Sequence, residues 1–302
     1  MRRVLSFLAL AAACGGTAVP DRVAVLGVDR LSGELAGQEV ELPGTDLAAV
    51  RGPAAMMMLG ASTDSARVPD CALRRRVSGA LVARTLPCVS LLGHYAAMDR
   101  ARQFLLAAGA EALLPAPVLV DDSAAPGLRY DARTDSFTLG QGPRGARLPL
   151  ALNPGAVTRE MVRRQLRGVA AVHPDEAEGI ALFLGAVAAG DPGYLASSEP
   201  GGDPTGELDL SRPLGVGAPA SAVGAPASAV LAGALWAWAD ASGDLTGASR
   251  AALAAARALG AGAADPAAVL SLVAAQLDGV ERDQACAVFR ARLHAAGISA
   301  CP

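Results

Sequence analysis

The stretch "PGAVTREMVRRQLRGVA", residues 154–170, decides how the rest of the chain is read. Pro154 stands where a helix begins, because a proline in the first turn sacrifices no hydrogen bond. Val162, Leu166, Val169 and Ala170 recur at helical spacing and predict one buried face. Arg159 and Arg163, four residues apart, project side by side from the same helix, with Glu160 next to the first. Four residues is the spacing at which a helix can offer two ligands to one metal ion. The side chains at those positions, however, are guanidinium groups. The stretch is either an ordinary basic helix or a metal-type helix with its ligands exchanged, and its neighbours decide between the two.

The 302 residues suffice for one large domain or two lobes. Over half are hydrophobic but only 3% are aromatic, so alanine and glycine carry the apolar character. All 26 basic residues are Arg, a bias that fits a GC-rich genome better than a structural demand. The formal charge of −3 provides no global basic field for nucleic acid. Beyond the N-terminus no uninterrupted apolar run reaches membrane-spanning length, which predicts a water-soluble body.

The N-terminus reads differently. "MRRVLSFLALAAACGG" runs from Arg2 and Arg3 through an apolar segment to small residues and Cys14. That is the order of a secretory signal. Ala11-Ala12-Ala13-Cys14 resembles a bacterial lipobox, with Leu10 one place early, so residues 1–13 are expected to be removed and Cys14 acylated. Several acyl chains on one residue anchor firmly. Gly15 follows where an inner-membrane retention Asp would stand, which directs the expectation to the outer membrane. An ordinary signal peptide with an incidental cysteine is the alternative. Export makes Cys71, Cys88, Cys286 and Cys301 an even set in an oxidising compartment. Of three pairings, the local one (Cys71–Cys88 and Cys286–Cys301) closes two short loops and is expected. No cysteine pair has zinc-finger spacing.

Along the chain, "RVAVLGV" predicts a strand after a tether, and residues 36–90 give no clear order beyond a strand pair in "VSGALVARTLPCVSLL" (77–92). "HYAAMDRARQFLLAAGA" predicts a helix ending at Gly109, and "PAPVLVDD" a short buried strand closed by Asp121 and Asp122. "GLRYDARTDSFTLGQG" predicts two strands around a polar turn with Tyr130 and Phe137 inward. A second helix follows the quoted one at about 175–189, then the turn "GDPGY". Residues 197–217 read as a Gly/Pro/Ser-rich loop, lengthened by a tandem "GAPASAV" at 217–223 and 224–230. Four helical segments complete the chain.

In that order the pieces resemble the thermolysin- and fungalysin-like zinc metallopeptidases, the gluzincins. The resemblance rests on "HYAAMDRARQFL", "PVLV", "LRYDARTDSFTLG", "VTREMVRRQL" (157–166), "EGIAL" (178–182) and "AGALW" (232–236), and covers roughly residues 91–300. It implies a two-lobed α+β fold: a mixed sheet-and-helix N-terminal lobe with the active-site-type helix, and an all-helical C-terminal lobe. It also implies that Arg159 and Arg163 occupy the two His-ligand positions, Glu160 the general-base position and Glu178 the third ligand position. The interval from Arg163 to Glu178 is short for the pattern, and Leu182 stands where the family has Asp. The oxyanion-stabilising His would fall in the "GAPASAV" repeat, which has none. A guanidinium has only donors and stays protonated, so neither arginine can ligate zinc. Without metal-activated water, a base at residue 160 has nothing to activate.

The sequence therefore predicts segments 1–13 (signal), 14–90 (tether and β-rich), 91–196 (α/β lobe), 197–230 (loop) and 231–302 (helical lobe). It predicts an exported outer-membrane lipoprotein without catalysis, holding no cofactor or metal. Arg159 and Arg163 would replace the metal's charge by pairing with Glu160, Glu176 or Glu178. The expected partners are the membrane, through Cys14, and a peptide or protein in the cleft gripped by both arginines, but no nucleic acid. An α-rich lipoprotein unrelated to peptidases is the alternative, and a residually active peptidase a third reading. His94, His173 and His294 are too scattered for a second site; His173 reads as a solvent-facing turn residue, and Trp236 and Trp238 as core and rim. No Ser sits in a G-x-S-x-G elbow.

Overall fold

The computed structural model describes residues 22–28, 35–140, 150–167, 169, 172–195, 208–212, 227–259, 265–294 and 301. The fold is mixed α+β, with two four-stranded sheets followed by a run of helices. The first sheet holds β1 (Arg22–Val28), β2 (Leu35–Glu41), β4 (Leu73–Arg75) and β5 (Leu81–Ala83) in the order β2-β1-β5-β4. β2 alternates exposed and half-buried residues, as a strand with one face to solvent must. The second sheet joins β3 (Ala55–Leu59), β6 (Ala116–Val120), β7 (Gly127–Asp131) and β8 (Ser136–Gly140) in the order β3-β6-β8-β7. β6 lies between two parallel partners, which explains why "APVLV" is apolar without alternation. β7 pairs antiparallel with β8 on one side and forms the edge of its sheet.

Helix α1 (Leu86–Ala107) corrects the strand pair expected in residues 77–92. Only Leu81–Ala83 is strand there; Pro87 in the first turn opens a helix that starts well before His94. Leu91, Leu92, Tyr95 and Met98 then line a face buried against the sheets. Gly93 is where α1 meets β1: a Cβ there would sit 2.6 Å from the Leu26 carbonyl oxygen. The border expected at residue 90 falls inside this helix. Disulfide Cys71–Cys88 ties its first turn to the segment before β4, and Cys286–Cys301 closes a second local loop.

The remaining helices are α2 (Pro154–Arg167), α3 (Pro174–Ala189), α4 (Ala227–Ser242), α5 (Leu245–Ala258), α6 (Pro266–Ala275) and α7 (Gly279–His294). Two hydrophobic cores result. One gathers the sheets and most of α1; the other gathers α3 to α7, including Trp236 and Trp238, both buried. α3 belongs to the helical core, because Ile180 to Leu184 are buried on every side. Its place with the preceding α/β segment, as the sequence suggested, is corrected accordingly. α2 is shared: Val157 packs with the sheets, Val162 and Leu166 with the helices. Most of the "GAPASAV" tandem lies outside the described residues, but Ala227–Val230 of its second copy opens α4, so the loop expected to run to 230 ends sooner. Cys14 and Ala170 also lie outside the described residues.

Candidate functional site: an ion cluster between two helices

α2 is held by its ends. At its N-terminus, Asn153 Oδ1 accepts from the amides of Gly155 and Ala156 at 2.9 and 3.3 Å, and its Nδ2 donates to the Tyr194 carbonyl at 2.9 Å. Near its C-terminus, Arg164 forms a two-pronged contact with Asp135 in the β7–β8 turn, at 2.9 and 3.0 Å. Tyr130 Oη donates to the same carboxylate at 2.9 Å. The hydrogen bond from Arg164 holds the Asp135 carboxyl below its ordinary range. So fixed, α2 faces β7 with one side and α3 with another.

α3 is set by a capping box. His173 Nδ1 accepts from the Asp175 amide, and Glu176 Oε2 accepts from the His173 amide. Glu176 Oε1 also accepts from the Asp265 amide before α6. Glu176 is therefore spent on helix ends and takes no part in pairing the arginines. Two residues on, Glu178 points at α2.

There the residues at 159, 160, 163 and 178 converge. Arg159 directs Nε and Nη2 onto Glu178 Oε1, the Nε contact being 2.7 Å. Arg163 directs Nε and Nη2 onto Glu178 Oε2, at 2.6 and 2.5 Å. The third nitrogen of Arg163, Nη1, donates to Glu160 Oε1 at 2.7 Å. Glu160 Oε2 accepts the Tyr130 amide of β7 at 2.9 Å. Both oxygens of both carboxylates are thus engaged, and two positive charges cancel two negative ones. Side-chain exposure is 9% for Arg159, 7% for Glu160, 19% for Glu178 and 35% for Arg163, so only Arg163 is substantially open to water.

Sequence reasoning missed Tyr194. Its ring lies where α2 and α3 approach most closely, over Gly155 and Gly185, either of which would drive a Cβ into it. Burial pushes the Tyr194 hydroxyl up from its ordinary pKa, and the four cluster charges act on it as well. The signal was present in the two glycines on facing helices, but nothing in "GDPGY" announced which ring they accommodate.

This set does not fit zinc. The helix positions carry donors without a lone pair, and the two carboxylates that could ligate are saturated by those donors. Among the described residues no group of three or more His, Cys, Asp or Glu could hold a metal ion. Leu182 is fully buried in the helical core. Asp121 closes its own turn by accepting from Ser123 N and Oγ at 2.9 and 2.6 Å.

His94 is buried in α1, away from its expected position at a helix start. Facing the Ala151 carbonyl at 3.3 Å, its Nδ1 must act as the donor, and burial lowers its pKa from 6.5 to about 4. The fold therefore favours the neutral ring. Its contribution is complete above the unfolded value and is lost as pH falls from 6.5 toward 4, a window corresponding to about 3 kcal/mol. Urea unfolding on both sides of this window is expected to show that loss, and His94→Gln is expected to flatten the dependence.

No protein-family model matches the chain, and no curated protein matches it. Among solved structures the chain is similar to the precursor of protealysin, a metalloproteinase from Serratia proteamaculans. Identity is 11% and the TM-score 0.45, over 80% of this chain and 88% of that one.

Proposed function

We propose that the chain is an exported, lipid-anchored pseudo-peptidase: a two-lobed, gluzincin-like frame in which an ion cluster stands where the family holds zinc. The observation that carries this reading is the convergence of Arg159, Glu160, Arg163 and Glu178 from two helices and the sheet edge. An ordinary basic helix turns its arginines to water. Here Arg159 is as buried as a core side chain and is matched to a glutamate on the adjacent helix. In the same reading the two hydrophobic cores correspond to the lobes, and Cys14 is the site of acylation.

The cluster also favours binding over catalysis in this reading. A general base needs a free carboxylate oxygen, and Glu160 has neither oxygen free. The proposed role is therefore non-catalytic, as a structural or ligand-binding lipoprotein. A peptide carboxylate gripped by both arginines would have to displace Glu178, which already occupies that fork; Arg163, the more exposed of the two, is the member a ligand would meet first.

Metal analysis of the purified protein, with a protein-hydrolysis assay in added zinc, tests the proposal. No stoichiometric zinc and no hydrolysis above background are expected. One zinc per chain, or hydrolysis abolished by Glu160→Gln, would overturn it.

A further inference from the structure

We propose that the turn between β4 and β5 is a docking surface for anionic phospholipid headgroups, at the end of the protein that faces the bilayer. The end of β4 and the turn after it read Arg74-Arg75-Arg76-Val77-Ser78, and all five residues are exposed. Val77 is the most exposed large hydrophobic residue among those described, standing at the tip with no side-chain neighbour to cover it. Adjacent arginines with an apolar tip combine the two features that bind a lipid surface: attraction to headgroup phosphates and a short apolar insertion.

The turn is built to hold that shape. Arg76 N donates to the Ala80 carbonyl at 2.8 Å, Gly79 N donates to the Arg76 carbonyl at 2.9 Å, and Arg75 Nη1 donates to the Gly79 carbonyl at 2.7 Å. Gly79 has φ +85°, a conformation that side chains rarely adopt, so the return into β5 depends on glycine. β4 is an edge strand, and its Arg74 and Arg75, though paired with Val82 and Leu81 of β5, are exposed at that edge.

Position gives the turn its partner. β1 runs parallel to β5 with Val23 opposite Leu81, so β1 starts at the same end of the sheet as the turn. Arg22 reaches the Ser78 carbonyl at 3.5 Å, and both Arg22 and Ser78 Oγ contact Glu39. Among the described residues at this end, four arginines face two glutamates, Glu39 and Glu41, leaving an excess of positive charge. The orientation rests on the reading that Cys14 is acylated. Eight peptide units link Cys14 to Arg22 and extend to at most about 28 Å. A compact chain of this length has a diameter of about 50 Å. A tether shorter than the body keeps the β1 end, and the turn with it, toward the membrane.

Flotation of the full chain, offered two separable vesicle populations in one mixture (phosphatidylcholine alone, and phosphatidylcholine with about one-third phosphatidylglycerol), tests the surface through its distribution between them. Since the anchor contributes equally to both vesicles, the ratio isolates the turn. Each basic side chain near an anionic surface strengthens binding about fivefold, so an excess of about twentyfold on phosphatidylglycerol is expected, falling as salt is raised. Arg74→Glu with Arg76→Glu should erase the ratio without changing the melting temperature, because both side chains are exposed. Val77→Asp should lower retention on both vesicles. Equal retention by the unmodified chain, or a ratio that survives the double charge reversal, overturns the proposal. Mass spectrometry of Cys14 separates the two readings. An unacylated chain that keeps its turn-dependent preference supports the surface and removes the anchor; an acylated chain with no preference removes the surface alone.

Discussion

Replacing Arg159 and Arg163 together by His is expected to produce a chain that takes up about one zinc ion, where the unmodified chain takes up none. Arginine Nε and histidine Nε2 are both four bonds from Cα, so the imidazole nitrogens would fall close to where the guanidinium Nε atoms now lie. Those Nε atoms are each within 2.7 Å of a Glu178 oxygen. The variant would thus present two nitrogens and a carboxylate converging on one point, with the fourth position open, as in zinc peptidases. Glu160, released from Arg163, would remain held to the Tyr130 amide through its other oxygen. Zinc in excess should raise the melting temperature, since a ligand at a hundred times its dissociation constant stabilises the folded state by about 2.7 kcal/mol. A variant that folds and yet binds no zinc would remove the idea that these four positions descend from a metal centre.

Loss of Glu178 is expected to be the most damaging single change in the cluster. Glu178→Ala would leave two guanidinium groups without their shared carboxylate, one of them almost fully buried. Removing one partner of a buried ion pair typically destabilises by about 3–5 kcal/mol, far more than the intact pair contributes. Part of this should return in Arg159→Met combined with Glu178→Met, because an apolar pair of similar volume leaves no buried charge uncompensated. A denaturation cycle across the two single variants and the double measures the coupling, expected at about 1–3 kcal/mol. A Glu178→Ala chain as stable as the original would show that water reaches Arg159 freely and that the cluster has no structural weight.

Much of this was legible in the residues, and the gaps have physical causes. The helical period of "VTREMVRRQL" and the polar turn inside "LRYDARTDSF" made α2, β7 and β8 legible, although β8 is buried along its length and α2 through its first two turns. The first turns of α1 were misread because "TLPCVSLL" is apolar on all sides, and periodicity cannot separate a buried helix from a buried strand. The pairing of β3 with β6 was not legible, since parallel partners some sixty residues apart leave no local signature. Spacing indicated that the arginines would meet a glutamate but not which one. Glu176 sits at the third position of its helix, where the capping box claims it, and Glu178 is left one half-turn further to face α2.

One consequence follows from the helices that serve both cores. Leu105 and Ala108, at the C-terminal end of α1, line the helical core, while Ala151 and Val157 line the sheet core. Sequence order and spatial order therefore interleave. Cutting the chain anywhere between α1 and α2 would strip each half of part of its own wall, so that stretch offers no seam at which evolution or an engineer could detach one half as a module.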